Sequence, residues 1–281
     1  GSAAFLPGTA STFLFNGSLG AIDSGGDAFR GLAVAGGSTT TATTSLAVDG
    51  LLDVNGTLRV LAGLTLTGSF DGTAGTVDFG GAVGQTVIAP PGGASWFNLT
   101  ISNTSVAGAT MGANFSVAGT LLVASGGTFG GGAGFILTLS GTWDNRSTFV
   151  PGTSTLSLSG APTVAGTVVT TFHHVTINAG ATLSIGAIAR MRVSGTWTNN
   201  HATDGFTETG TTIEFAGSPA RSLTFHRPRS SAPSSFGRLL SGTAASPAGR
   251  MSIKSLITFT SWWRLRTPKE ADQIFFTYSS P

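Results

Sequence analysis

The feature that most constrains this fold is a recurring motif: a Phe, a Gly-containing turn, and an alternating, Thr-rich strand closed by Gly. Its copies are widely and unevenly spaced, at Phe5–Gly17, Phe70–Gly81, Phe149–Gly160 and Phe206–Gly217. Within a copy, apolar and polar residues alternate, as in Val77, Asp78 and Phe79. This period of two places the apolar side chains on one face. One unit cannot bury that face alone, so the pattern predicts that successive units stack.

Two further motifs recur around the first. One contains Gly-Thr followed by Trp or Leu, and its copies are Val54–Leu58, Val117–Leu121, Leu139–Asn145 and Val193–Asn199. The other is an aromatic-to-Asn strand that occurs at Trp96–Asn103 and Thr171–Asn178. Short strands separated by Gly-rich corners, without a sustained helical period in residues 1–220, indicate an all-β protein with little helix. We expect a β-solenoid (β-helix) built from three to four long imperfect repeats, with a β-sandwich array as the alternative.

Composition favours a folded chain over a disordered one. Gly accounts for 42 of 281 residues and charged residues for only 9%, but 40% of residues are hydrophobic and the mean hydropathy is +0.28. Disorder requires low hydrophobicity, so this chain can bury a core. It contains no Cys, which excludes a disulfide scaffold and thiolate metal sites. We predict no cofactor and no metal site. We also predict no transmembrane segment, because no apolar run is long enough to span a bilayer.

Charge and glycine content both change near residue 220. Residues 1–220 contain five basic and ten acidic residues, whereas residues 221–281 contain nine basic and two acidic ones. We therefore divide the chain into a repetitive β-solenoid, residues 1–220, and a basic C-terminal segment, residues 221–281. That segment is interpreted as a cap, an anchor or a non-native reading frame, and less readily as an arm for an anionic partner. No nucleic-acid partner is expected, because its basic residues are scattered without forming a run.

The order of these motifs resembles repeats of large bacterial surface proteins. Val-x-Gly-Thr-Trp-x-Asn, a Phe and Gly turn, a Thr-rich strand and Phe-x-Asn-Leu-Thr-Ile are similar in style to autotransporter passengers and filamentous-haemagglutinin-like adhesins. The resemblance covers roughly residues 1–225. It implies a secreted or cell-surface protein with a structural or adhesive role, a stiff displayed rod without catalytic activity. The implied partners are cell-surface glycans, matrix polysaccharide or neighbouring repeats of the same protein.

One polar cluster is the best candidate for chemistry. His201 lies three residues before Asp204 and seven before Glu208, a set that fits an acid–base pair or a hard cation. It is the basis of the enzymatic alternative, a β-helix polysaccharide lyase or glycoside hydrolase. However, the cluster falls where other copies have turn insertions, and turns favour Asn, Asp and Gly for backbone reasons. We therefore favour a solvated turn and assign no catalytic residue.

Three Trp residues, Trp96, Trp143 and Trp197, recur in the motifs. An exposed strip of their rings would stack on sugars, which is the basis of a glycan-binding alternative. Packing in the core or at corners is the favoured interpretation. Exposed coplanar rings would support a glycan binder, a groove with two carboxylates would support an enzyme, and a smooth Ser/Thr surface would support a rod.

Two smaller patterns carry weaker predictions. In a strand, neighbouring side chains point to opposite faces, so His173 is expected to face outward and His174 to pack inward without sharing a metal. Asp78 and Glu214 occupy the same motif position. We interpret both as outward carboxylates that promote solubility.

Overall fold

A computed structural model describes residues 11–186, 190–201, 206–208, 212–216, 223–225 and 250–254. These ranges consist of short β-strands, one 3₁₀ turn at Pro91–Gly93 and no α-helix. Strands stack in parallel on strands of the preceding and following coils, where a coil is one circuit of the chain. The predicted β-solenoid is therefore confirmed, and the β-sandwich alternative is wrong. No helix in the described ranges is long and apolar enough to cross a membrane.

One wall of the solenoid, face 1, is a single parallel sheet of ten strands. Because each coil contributes one strand, the ten strands correspond to about nine turns. The strands, numbered in chain order across the whole molecule, are β2 (Ser18–Ile22), β4 (Thr39–Ala42), β6 (Thr57–Val60), β9 (Thr76–Phe79), β11 (Asn98–Ile101), β14 (Thr120–Val123), β17 (Thr142–Asn145), β20 (Thr163–Gly166), β23 (Leu183–Ile185) and β26 (Phe206–Glu208).

The other two walls, face 2 and face 3, are divided into shorter sheets. In the first coils one five-stranded sheet provides both walls: β1 (Phe13–Phe15), β3 (Ala28–Val34), β5 (Leu46–Val54), β7 (Leu64–Leu66) and β8 (Ser69–Asp71). It does so because the first half of β5 pairs with β7 and its second half with β8. We assign β7 to face 2 and β8 to face 3.

Later coils have one strand on each of these walls. Face 2 continues with one sheet of β10 (Gln85–Val87), β12 (Ala109–Met111), β15 (Thr128–Gly130) and β18 (Thr148–Val150), and then another that includes β21 (Val169–Phe172), β24 (Arg190–Val193) and β27 (Thr212–Ala216). Face 3 continues with β13 (Phe115–Val117), β16 (Ile136–Leu139), β19 (Thr155–Leu158), β22 (His174–Ile177), β25 (Trp197–Asn199) and β28 (Leu223–Phe225).

Face 2 is interrupted twice. Among the described residues, no backbone ladder joins β7 to β10, and none joins β18 to β21. We call these two interruptions the first seam and the second seam. Face 3 has a similar weak point between β8 and β13, where only an isolated bridge between Trp96 and Val117 is formed. Face 1 is laddered throughout.

The structural repeat is much shorter than the predicted one. On face 1, Thr39 stacks in register on Thr57, and Ser184 stacks in register on Thr207. One circuit of the chain is therefore only a fraction of the spacing between motif copies, so the long predicted unit is not a coil. The expectation of three to four units is wrong. The strands of the four copies, β1, β9, β19 and β27, lie on four different sheets. The motif marks a kind of strand and corner, not a fixed position in the coil.

The core lies along the solenoid axis, between the three faces. On face 1 alternate residues point inward, and in-register inward side chains form a column that is apolar from β6 to β23. Its buried members are Leu58, Val77, Leu99, Leu121, Trp143, Val164 and Ile185. The alternation that predicted the strands thus also places the core.

Glycine is required at corners where coils touch. A Cβ at Gly141, between β16 and β17, would overlap the backbone carbonyl of Gly119 one coil earlier. A Cβ at Gly119 would in turn lie 2.8 Å from the carbonyl oxygen of Phe97. The Gly of the Gly-Thr motif is therefore explained by the close approach of stacked corners.

Little of the basic C-terminal segment falls in the described ranges. In residues 221–281 these ranges contain only β28, which pairs with β25, and β29 (Arg250–Lys254), which pairs antiparallel with β27. The domain boundary at residue 220 stays a prediction.

Candidate functional site

The three Trp residues are in the core. Trp96 and Trp143 are 0% exposed and Trp197 is 3% exposed. A buried indole cannot offer its face to a sugar ring, so the glycan-stacking strip is wrong for all three residues. Trp143 on β17 and Trp197 on β25 occupy inward positions of alternating strands, whereas Trp96 forms the isolated bridge on face 3.

Trp143 joins strands that the backbone does not join. Its ring lies 4.7 Å from that of Phe149, on β18, and 4.9 Å from that of Phe172, on β21, both edge-to-face. Phe149 and Phe172 stand on opposite sides of the second seam, with ring centroids 5.7 Å apart. The buried indole nitrogen Nε1 has no hydrogen-bond partner. The cluster therefore holds the seam by packing alone, and Trp96 packs similarly on Phe70 at 4.8 Å beside the bridge on face 3.

The proposed acid–base cluster is only partly within the described residues. His201 is half-buried, and its backbone N–H donates to Asn199 Oδ1 at 3.0 Å. Asp204 lies outside the described residues. Glu208 is described only as backbone, in register with the buried Ile185 on face 1. The role of these three residues stays a prediction.

The two carboxylates of the first motif lie on different walls. Asp78, on face 1, accepts hydrogen bonds from Ser102 Oγ at 2.7 and 2.9 Å and lies 3.6 Å from Arg59. Burial raises the pKa of Asp78, while Ser102 and Arg59 oppose that rise. Glu214, on face 2, pairs with Arg192 at 2.9 Å. Both carboxylates face outward as expected, but both are partnered and mostly covered, so their interpretation as solubilising groups needs correction.

One further carboxylate pair was not singled out from the sequence. Asp53 and Asp71 are register partners on β5 and β8. Burial and the charge of Asp71 raise the pKa of Asp53, although a hydrogen bond from Asn55 lowers it. The side chain of Asp53 is half-buried and that of Asp71 is exposed.

Buried amides connect coils at the first seam. The side-chain amide of Gln85 donates to the carbonyl oxygens of Val60 (2.8 Å) and Ala62, one coil earlier, and its Oε1 accepts from the backbone of Gly81. Asn103, one coil later, donates to Gln85 Oε1 at 2.7 Å. Three successive corners are thus joined by side chains on the wall where the ladder is missing.

A second buried pair spans the second seam. Asn145, at the end of β17, donates from Nδ2 to Thr170 Oγ1 on β21 at 2.9 Å, and both side chains are buried. Asn145 Oδ1 also accepts from the backbone of Ser147. Unpaired buried polar groups are costly, so these amides are strongly constrained by their partners. Their appearance at the ends of strands in the Asn-containing motifs was the available sequence signal.

The two adjacent His residues lie together, contrary to the expectation from alternation. Their ring centroids are 4.2 Å apart and both are half-buried. Alternation fails because β21 ends at Phe172 and β22 begins at His174, so His173 is itself the corner between face 2 and face 3. His173 Nδ1 lies 3.2 Å from Ser194 Oγ, and His174 Nδ1 lies 2.7 Å from Thr196 Oγ1. Burial and the neighbouring His173 lower the pKa of His174.

A shallow depression in the described surface lies beside this pair, and Trp143, Phe149, Phe172 and the two His residues are among the residues that line it. No group of three or more His, Cys, Asp or Glu side chains in the described ranges is arranged to hold a metal ion.

The outward surface of face 1 carries a row of small polar side chains in register. None of its Thr residues on β4, β6, β9, β14, β17 and β20 has a side-chain hydrogen bond to another described residue. Among the residues whose side chains are described, the row consists of Thr39, Thr57, Thr76, Asn98, Thr120, Thr142, Thr163 and Ser184. The hydroxyl groups are therefore left to solvent.

Comparison with known proteins gives no match. No protein-family model, curated protein or solved structure is similar enough to this chain to be reported as a relative.

Proposed function

We propose that this chain is a stiff structural segment of an extracellular, surface-displayed protein, acting as a rod without catalytic activity. The observation that carries the proposal is face 1, whose ten strands are laddered without a break. A continuous parallel ladder fixes each coil to the next along the whole axis. At about 4.8 Å per strand, its nine steps give a length of roughly 43 Å.

The positions and hydrogen bonds of the polar side chains support the same role. Gln85, Asn103 and Asn145 are buried and connect one coil to another. The outward row on face 1 consists of short Ser, Thr and Asn side chains. With the Trp rings in the core, this surface has the smooth hydroxylated character expected of a rod. Display of the chain at a cell surface, and contact with glycans, matrix polysaccharide or further repeats, belong to the same proposal.

Small-angle X-ray scattering of the purified chain, combined with single-molecule pulling, tests stiffness. We expect a constant cross-section along an axis of at least roughly 43 Å, and unfolding in large cooperative steps. Scattering typical of a flexible chain, or extension at low force without steps, would contradict the proposal.

An assay on a panel of acidic and neutral polysaccharides tests the enzymatic alternative. We expect no release of reducing or unsaturated ends. Cleavage that Asp204→Asn or Glu208→Gln abolishes, while Asp49→Asn leaves it intact, would replace the rod with an enzyme that uses those two carboxylates.

A further inference from the structure

The outward surface of face 3 carries a hydroxyl side chain at the same position of five consecutive strands. Each of these residues alternates with residues that point into the core, and the ladder pairs it with the hydroxyl residue of the next coil. This column consists of Ser116, Thr138, Ser157, Thr176 and Thr198. Because neighbouring strands lie about 4.8 Å apart, the hydroxyl groups form a row with that repeat.

The positions on either side of this column have similar chemistry. Two residues before it along the strand, Thr155 stacks in register on His174. Two residues after it, Ser159 and Asn178 follow the inward residues of β19 and β22. Ile136, which is 41% exposed, is the one large apolar side chain among these described outward positions. The surface therefore extends over several columns of short polar groups, about 6.6 Å apart.

Charge distinguishes face 3 from the other two walls. On the described strands β13, β16, β19, β22 and β25 there is no Asp, Glu, Lys or Arg. By contrast, face 1 carries Arg59, Asp78 and Asp144, and β24 on face 2 carries Arg190 and Arg192. An uncharged surface does not attract an ionic partner. A partner that complements face 3 is therefore neutral as well as periodic.

The hydroxyl groups of this surface are held in fixed directions. Thr is β-branched, so its χ1 angle is restricted. Asn178 Nδ2 donates to Ser157 Oγ at 3.0 Å and to Ser159 Oγ at 2.9 Å, which connects two successive coils. Thr138 and Thr176 make no side-chain hydrogen bond to another described residue. Their hydroxyl groups are therefore preorganised and directed to water.

Such a surface is poorly suited to a dissolved partner. Protein interfaces draw most of their affinity from Trp, Tyr and Arg, whereas Ser and Thr contribute little. A sugar ring would need an exposed aromatic face, and the Trp rings are buried. Each hydroxyl contact with a dissolved partner also replaces a hydrogen bond to water, so its net gain is small. Solid water avoids this loss, because its hydrogen-bonding groups are those of the solvent itself.

We propose that the outward surface of face 3 binds ice. The repeat of about 4.8 Å between coils is close to the shortest repeat between equivalent oxygen atoms in hexagonal ice. Successive hydroxyl groups can therefore occupy successive positions of the lattice. Short side chains lose little conformational entropy when they are fixed, so many weak contacts add up along the column. This activity is additional to the rod function and does not depend on it.

Incorporation of the full chain into slowly growing ice tests this proposal. The chain is labelled with a fluorophore at its amino groups, none of which belongs to β13, β16, β19, β22 or β25. A labelled globular protein of similar size, which ice excludes, is the reference. We expect the growing ice to be enriched in the chain relative to this reference, and ice crystals grown in its presence to be faceted.

Two variants address the central column. Thr176→Tyr places a bulky ring there and holds the neighbouring hydroxyl groups away from a flat lattice. It should lower the incorporated fraction by about tenfold, which corresponds to about 1.4 kcal/mol. Thr138→Tyr, two coils earlier in the same column, should have the same effect and decides the question if Thr176→Tyr does not fold. Circular dichroism and thermal unfolding establish which variants are folded.

Thr100→Tyr is the matched control, because Thr100 lies outward on β11 of face 1. It should leave incorporation unchanged. Exclusion of the wild-type chain from ice, wild-type incorporation of the folded face 3 variants, or an equal loss in Thr100→Tyr would each overturn the proposal. Retention on cellulose or chitin particles that Thr176→Tyr abolishes, without enrichment in ice, would also overturn it and assign the surface to a crystalline polysaccharide.

Discussion

Face 1 and face 2 come from the same coils and similar residues, but successive coils are connected differently on each. On face 1 the backbone ladder runs through all ten strands. On face 2 it stops at two seams, and side chains make the connection there. Of the seven buried polar residues in the described part of the chain, five lie at or next to those seams: Gln85, Asn103, Asn145, Ser154 and Thr170. The comparison teaches that most polar groups in this core are structural connectors where a ladder is missing.

The largest effect should come from removing the aromatic connector of the second seam. Trp143→Ala should lower the free energy of unfolding by about 3–5 kcal/mol, because it leaves a cavity between Phe149 and Phe172. Leu121→Ala, one coil earlier in the same inward column, is the matched control at about 2–5 kcal/mol. Urea unfolding measures both losses, and hydrogen exchange should locate that of Trp143→Ala at the seam. Equal loss of protection throughout face 1 in both variants would remove the distinction between the two walls.

A smaller effect is expected where corners stack. Gly141→Ala should destabilise by about 1–3 kcal/mol, because its Cβ meets a backbone carbonyl that cannot move independently of its strand. Gly36→Ala, at a comparable corner, has its nearest neighbour 3.8 Å away and should change stability little. Thermal unfolding compares the two variants. If both behave alike, close stacking of corners is not what requires glycine.

The polar connector of the second seam can be measured by a double-mutant cycle. Asn145→Val and Thr170→Val should each cost about 1–3 kcal/mol, because each leaves a buried partner unpaired. The double variant should cost less than the sum, since both polar groups are then absent. Additive losses in urea unfolding would mean that the 2.9 Å hydrogen bond does not couple the two coils.

The smallest effect is expected on the laddered wall. Asp78→Asn should change stability by no more than about 0.5 kcal/mol at pH 7, because relief of desolvation offsets the weakened contact with Arg59. Burial raises the pKa of Asp78, so the folded state binds the proton more tightly than the unfolded state. Wild type should therefore gain stability relative to the variant as pH falls from 7 toward 4. Chemical unfolding at several pH values would show this, and a difference that moves the other way would refute it.

Alternation and Gly spacing were sufficient to predict the architecture. Val77 and Phe79 face inward and Asp78 outward, as the period of two requires. The same rule failed at His173, because a corner of one residue interrupts the strand there. It also could not give the coil length, since the stacking of Thr39 on Thr57 depends on all the corners of the intervening circuit.

The candidate site was less accessible from the sequence. Whether a Trp side chain is exposed or buried depends on the wall to which it belongs and on whether it faces the axis. Both depend on the strand register. The connection between Asn145 and Thr170 crosses 25 residues and is set by a seam that no local pattern marks. Asp204 lies outside the described residues, so that part of the prediction is unchanged.

The Gly-Thr corner has a consequence for how such a chain can lengthen. With Gly141 it leads from face 3 to face 1, whereas with Gly195 it leads from face 2 to face 3. One short module therefore fits more than one vertex of the triangular cross-section. A gene duplication need not copy a whole circuit: one strand plus one corner is already an interchangeable part. If the chain lengthens by one strand and one corner at a time, each addition is about a third of a circuit. The period of the sequence repeat then does not match the length of one turn of the solenoid.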